Sequence, residues 1–182
     1  MGNFICGNAC EHDKYFREDF LLAKNLGHNA TRFGSEVANI MPSKNIFDEV
    51  WLAHYKEVVL FLKEQHIIPF FNLWHWTLPI WWEEEGGWAS LNAPIYFAEY
   101  VQKMIETFGN EVNYWITLNE PLVNAKISYL EGRSPPHKKK LFLFFRVSRN
   151  LIKAHKSAYE VIKNMHPESQ VGIAHNMSFF EV

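Results

Sequence analysis

Trp115-Ile116-Thr117-Leu118-Asn119-Glu120-Pro121 is an apolar run that ends abruptly in an amide, a carboxylate and a proline. A run of this length reads as a buried strand, and the proline stops it. Asn119 and Glu120 then sit at the carboxyl end of that strand, which is where parallel α/β folds do their chemistry. A carboxyl group held half in a core and half in a cleft can have its pKa raised and serve as a proton donor. The plainer alternative is a loop glutamate that caps the next helix.

Around this run, short apolar segments alternate with longer amphipathic ones. Ala30 to Phe33 is a short strand candidate. Asp48 to Gln65 reads as a helix, with Trp51, Tyr55, Val58, Val59 and Leu62 at helical spacing and Asp48 as N-cap. Ile67 to Trp74 is almost continuously apolar, as expected of a strand buried on both faces, and Pro69 is tolerable near its start. A helix begins near Pro94, lines Phe97, Tyr100, Val101, Met104 and Phe108 along one face, and ends at Gly109. The last helix runs from about Leu141 to Met165 and is closed by His166-Pro167, and Val171 to Ala174 is a final strand.

Successive strands begin about forty to sixty residues apart, which fits right-handed βαβ units with loop insertions. The class is α/β with a parallel sheet. No linker composition divides the chain, so residues 1–182 are expected to form a single domain. The stretch from Thr77 to Asn92 carries three tryptophans and three consecutive glutamates after a strand. It is either a binding rim or a packed surface loop.

Composition narrows the function classes. A net charge of −2 argues against a nucleic-acid partner. The one basic run, Lys138-Lys139-Lys140, reads as a solvated loop. Aromatic residues make up 16% of the chain, a level that suits either a bulky core or a cleft for flat ligand faces. Cys6 and Cys10 are a single close pair with no second ligand pair at zinc spacing, and no H-E-x-x-H occurs, so no metal site and no cofactor are expected. No stretch is long and apolar enough to span a membrane, and no signal peptide is visible. Met1-Gly2 opens like a myristoylation signal, but Cys6 stands where Ser or Thr is needed. A cytoplasmic location is the expectation.

Taken together the motifs resemble glycoside hydrolase family 1, the β-glucosidase and 6-phospho-β-glycosidase family. His12 to Asp19 resembles the approach to the first barrel helix, and Leu26-Gly27-His28-Asn29-Ala30-Thr31-Arg32-Phe33 resembles the second strand. Leu73-Trp74-His75-Trp76-Thr77-Leu78-Pro79, followed by Gly86-Gly87-Trp88, resembles the H-W/F-x-L-P signature after the third strand. Trp115 to Pro121 resembles T-x-N-E-P after the fourth, and Gly132 with Pro135-Pro136 resembles a G-x-x-P-P loop. The chain departs from the family where Val37 and Asn39 replace a tryptophan and an arginine, and where Thr31 replaces an aromatic.

The resemblance implies a (β/α)8 barrel and a retaining mechanism run by two carboxylates about 5–5.5 Å apart. It assigns Glu120 as acid/base, Asn119 as the ligand of the sugar 2-hydroxyl, and His75 as a further sugar-hydroxyl ligand. Arg32 matches the arginine that orients the nucleophile. The plainer alternatives are a satisfied core histidine for His75, which the surrounding motif disfavours, and, read without the family, a structural ion-pair member for Arg32. A (β/α)8 barrel needs about 250 residues, so the expected fold is a partial barrel of about strands two to five, incomplete at both ends. No T/I-E-N-G nucleophile motif occurs. The implied function is a retaining β-glycosidase present as an N-terminal fragment that carries the acid/base but not the nucleophile and is inactive or very weakly active alone. Its expected partners are a carbohydrate β-glycoside and a complementing C-terminal half or a second copy, with no nucleic acid and no membrane. The alternative is a non-catalytic half-barrel that binds sugar or a partner chain. A metal-using barrel enzyme built on Glu120 is a weaker third reading.

Overall fold

A computed structural model of the chain describes residues 9–177. The readings made on Met1, Gly2 and Cys6 lie outside them. The order is α1 (His12–Asn25), β1 (Ala30–Gly34), α2 (Val37–Ile40), α3 (Glu49–Glu64), β2 (Ile68–Asn72), α4 (Ile80–Glu84), α5 (Ala93–Phe108), β3 (Tyr114–Asn119), α6 (Pro121–Ala125), α7 (Leu141–Met165) and β4 (Gln170–Ala174). A 3-10 turn at Gly87–Ala89 precedes α5, and a π-type turn at Lys126–Leu130 follows α6. The four strands form one parallel sheet in the order β1-β2-β3-β4. Sequential parallel neighbours joined by helices are the right-handed βαβ pattern.

Local signals explain the boundaries. Asp48 caps α3, its carboxylate accepting from the N–H groups of Val50 and Trp51 at 2.9 and 3.1 Å. Pro94 sits in the first turn of α5, where its missing N–H costs nothing. Gly109 follows the last residue of α5 without a left-handed turn. Its φ is −58°, in the helical region. The constraint is space, since a Cβ there would stand 2.4 Å from Nε2 of His166.

Helices α3, α5 and α7 cover one face of the sheet. Phe71, Trp115, Tyr100, Phe97, Val147 and Ala154 belong to one continuous buried core between them. α7 is fastened in two ways. Nδ1 of His155 lies 2.8 Å from the Thr117 hydroxyl of β3, and the Asn150 amide donates to the carbonyls of Trp88 and Ser90 at 2.9 and 2.8 Å.

The other face of the sheet is open. Register puts Arg32, Phe70 and Tyr114 side by side on it, and the rings of Phe70 and Tyr114 stack 4.5 Å apart. Phe70 is only half-buried and Ile68 is exposed, so β2 is not buried on both faces as its apolar run suggests. Four strands do not close on themselves, and Phe70, Tyr114 and Ile116 on this inner face are only partly buried.

The tryptophan-rich stretch is also resolved. Trp82 and Trp88 are fully buried and pack ring to ring at 5.2 Å, with Trp74 5.0 Å from Trp88. Both are core rather than rim. Val37, where the resemblance expects a tryptophan, is buried in α2.

The histidines give a pH dependence. Burial holds the imidazoles of His12, His54 and His155 below the ordinary value of 6.5; Asp19 and Asp13 oppose this at His12, and the neighbouring His12 adds to it at His54. Each is therefore favoured neutral in the fold, while the unfolded chain takes up the proton first. Their contribution is fully present above about pH 6.5 and is lost as pH falls below it towards the lowered folded values. Thermal melts between about pH 7.5 and 5 should show a falling Tm, and His155→Gln should make the fall shallower. A Tm unchanged across this window would contradict the assignment.

Candidate active site

The carboxyl ends of β1, β2 and β3 bring the candidate groups to one rim of the sheet. Asn119 is the last residue of β3 and is 4% exposed. Its backbone is fixed from two sides. Its N–H donates to the Trp74 carbonyl at 3.0 Å, and its carbonyl accepts from the indole Nε1 of Trp76 at 2.9 Å. Its side-chain oxygen accepts from the Arg32 guanidinium, which also donates to the Asn72 amide oxygen at 3.3 Å. One cation on β1 thus fixes the amides that end β2 and β3. An amide whose oxygen is taken by arginine is left with its NH2 group to offer.

Glu120 follows in a left-handed conformation, φ 44° and ψ 53°. Such a backbone costs a non-glycine residue about 1–2 kcal/mol. Strain of this kind collects at functional sites. Here it turns the residue out of the strand line, while the N–H stays anchored to the Ala174 carbonyl of β4 at 2.7 Å. Glu120 occupies the N-cap position of α6 but its side chain makes no capping bond. The helix-capping reading of this residue therefore fails. The carboxylate is half-buried and meets one protein donor, Nδ2 of Asn176, at 3.4 Å. A strained, anchored backbone carrying a largely uncommitted carboxylate can protonate or deprotonate a group held beside it.

His75, just beyond β2, is exposed, and its ring has no hydrogen-bond partner among the described residues. It is not a satisfied core histidine. Its pKa lies below the usual value through partial burial and then the positive field of Arg32, with the negative charges of Glu120 and Glu36 opposing. A neutral imidazole offers one donor and one acceptor, which suits a hydroxyl ligand. Trp76 beside it has φ 79°, a second left-handed residue at this rim. Arg32 is not an ion-pair member: its partners are amides, and none of the ion pairs among the described residues includes it.

Three contributors escape the sequence reading. Asn72 is 2% exposed, and its amide nitrogen has no partner. Its signal was present in that Ile68-Pro69-Phe70-Phe71-Asn72 ends in a buried amide just as β3 does. Trp76 holds Asn119 through its indole. Glu36 accepts from the Thr77 hydroxyl at 2.7 and 2.8 Å and so ties the loop after β1 to the loop after β2. Among the described residues no cluster of His, Cys, Asp or Glu could hold a metal ion.

Comparison with known proteins gives this rim a context. The family model described as glycosyl hydrolase family 1 matches residues 3–181. The chain is 34% identical to β-glucosidase A of Thermotoga maritima over 95% of its own length and 39% of the relative's. It is 33% identical to a 1,4-β-D-glucan glucohydrolase of Thermotoga neapolitana, covering 95% of this chain and 41% of that one. Among solved structures, the family 1 β-glucosidase from Thermotoga maritima superposes with a TM-score of 0.92 at 34% identity, over 94% of this chain and 39% of that one. The four strands and their helices are thus a part of a (β/α)8 barrel, and the chain spans about 40% of the length of these relatives. The chain belongs to glycosyl hydrolase family 1.

Proposed function

We propose that the protein is a retaining β-glycosidase in which Glu120 is the acid/base. The observation that carries this is the placement of Glu120: a half-buried carboxylate on a strained strand end, not engaged as a helix cap, next to an amide held by arginine. In the first half-reaction Glu120 gives its proton to the departing glycosidic oxygen while a second carboxylate attacks the anomeric carbon. In the second half-reaction Glu120 takes a proton from water, which releases the sugar with its configuration retained. Asn119 offers its NH2 group to the 2-hydroxyl, a contact that strengthens in the transition state. His75 binds a second hydroxyl. Arg32 positions Asn119 and, on the family resemblance, orients the nucleophile. The T/I-E-N-G motif of that nucleophile is absent from these 182 residues, so this chain supplies the proton donor of the pair.

Substrates on this reading are β-glycosides, in keeping with the β-glucosidase and glucan glucohydrolase activities named for its relatives. The test is the stereochemistry of turnover by the full-length protein, meaning this chain together with a C-terminal half that carries the nucleophile. Proton NMR of a β-glucoside digest should show the β-anomer first, with the α-anomer growing only by mutarotation. An α-anomer as first product, or no hydrolysis of any β-glycoside offered, would contradict it.

A second reading draws on the sheet edges. β1 and β4 each have a free edge among the described residues, and β4 is largely exposed. Open edges pair readily, so the chain can also serve as a sugar-binding half-barrel that completes itself on another chain without turnover. That reading predicts sugar binding or association indifferent to Glu120→Gln.

A further inference from the structure

Helix α7 carries a feature that glycoside hydrolysis does not use. Residues 138–153 hold six cationic side chains, namely Lys138, Lys139, Lys140, Arg146, Arg149 and Lys153, and the first acidic residue after them is Glu160. None of the six takes part in an ion pair or a side-chain hydrogen bond among the described residues, where eight ion pairs engage other cations, although the charge of Lys138 does reach the Glu83 carboxylate. The three lysines lead into the amino end of α7, where cations oppose the helix dipole.

The same end of the helix exposes aromatic rings. Phe142 is 71% exposed and Phe145 61%, and Leu91 beside them is 72% exposed. With Arg146, Arg149 and Lys153 they line a shallow groove of about 410 Å³. Helical geometry fixes the direction in which this surface looks. Val147, Leu151, Ala154, Ala158 and Ile162 are buried, and His155 reaches Thr117 of the sheet. Phe142, Phe145 and Arg149, at three- and four-residue steps, fall on the opposite side. In a (β/α)8 barrel that side of a helix faces outward. Leu141 and Ile152, four residues before and seven after Phe145, border this face on the Phe145 side and are also exposed, at 58% and 66%.

We propose that the outer face of α7 is a docking surface for an anionic lipid membrane. The occupant follows from the chemistry. Unpaired cations match acidic headgroups, each adding attraction that falls off within a Debye length. Exposed phenylalanines and a leucine among them suit the boundary between headgroups and acyl chains. A soluble acidic partner accounts for the cations and leaves the aromatic rings in water. No described helix is long and apolar enough to cross a membrane, so the contact is peripheral.

The test is cosedimentation of the full-length protein with phosphatidylcholine vesicles, with and without about a third phosphatidylserine. The protein is expected to pellet with the acidic vesicles, to stay in solution with the neutral ones, and to be released by salt. Arg146→Gln/Arg149→Gln/Lys153→Gln should weaken binding on the order of 100-fold. Phe142→Ser/Phe145→Ser should weaken it while far-UV circular dichroism stays unchanged. Absence of binding to acidic vesicles at low salt would overturn the proposal, as would equal binding to neutral ones. Binding to soluble poly-glutamate that matches the vesicles and ignores the phenylalanine changes would assign the face to an acidic polymer instead. A dimer that dissociates in Phe142→Ser/Phe145→Ser would assign it to a second copy.

Discussion

Glu120→Gln in the full-length protein is expected to lower kcat on an alkyl β-glucoside by roughly a hundred- to ten-thousand-fold, the usual contribution of a positioned proton donor. Glutamine keeps the size of the side chain and the oxygen that meets Asn176 at 3.4 Å, so the site should keep its shape. It has no ionisable proton to give. The loss should depend on the aglycone. An alkoxide must be protonated as it leaves, whereas a nitrophenolate departs almost unaided, so the first half-reaction on a nitrophenyl glucoside should be affected far less. Single-turnover rates on the two substrates separate this from a general loss of folding, which lowers both equally. An alkyl-glucoside rate within about threefold of wild type would remove Glu120 from the chemistry.

The second large effect concerns the layer beneath the site. Trp88 is 1% exposed and packs against Trp74, Trp82 and Phe97 with ring centroids 5.0, 5.2 and 5.7 Å away. Its carbonyl also accepts from Asn150 of α7 at 2.9 Å. Trp88→Ala leaves a cavity between the stretch after β2 and α7 that rigid neighbours cannot fill. The expected loss is about 3–5 kcal/mol, or a Tm lower by on the order of 10 °C. Trp88→Phe keeps much of the volume and should cost clearly less. Differential scanning calorimetry of the three proteins reads this directly. A Tm for Trp88→Ala within about 2 °C of wild type would mean that the stretch from Thr77 to Asn92 is surface decoration after all.

These two residues mark what the sequence makes legible and what it hides. The long helices are legible because α3, α5 and α7 each bury a regular stripe, and Asp48 and Pro94 mark where two of them start. Strands β2 and β3 are legible because each is a short apolar run with a polar or proline stop. The single-face burial of β2 is not, since an apolar run looks the same whether or not its second face finds a partner. The tryptophans at 82 and 88 are hidden for a related reason. A stretch rich in glycine and acid reads as loop, and only the packing of Trp74 and Phe97 against it makes it core.

At the site the same division holds. Glu120 and Asn119 are visible as the polar end of an apolar run. The grip of Arg32 on Asn119 spans 87 positions of sequence, and no local pattern encodes it. Asn72 joins them only because parallel register sets it opposite Gly34 and within reach of the same guanidinium. The left-handed backbone of Glu120 is likewise a tertiary fact, held by the Ala174 carbonyl of a strand more than fifty residues away.

The most direct test of the acid/base assignment is anion rescue of Glu120→Ala in the full-length protein. With the base removed, water attacks the glycosyl intermediate slowly, whereas azide needs no deprotonation and fits the space the carboxylate leaves. Added azide should restore turnover of a nitrophenyl β-glucoside and yield the β-glucosyl azide. A product of α configuration would make Glu120 the nucleophile, and a variant that azide leaves unchanged would take it out of proton transfer altogether.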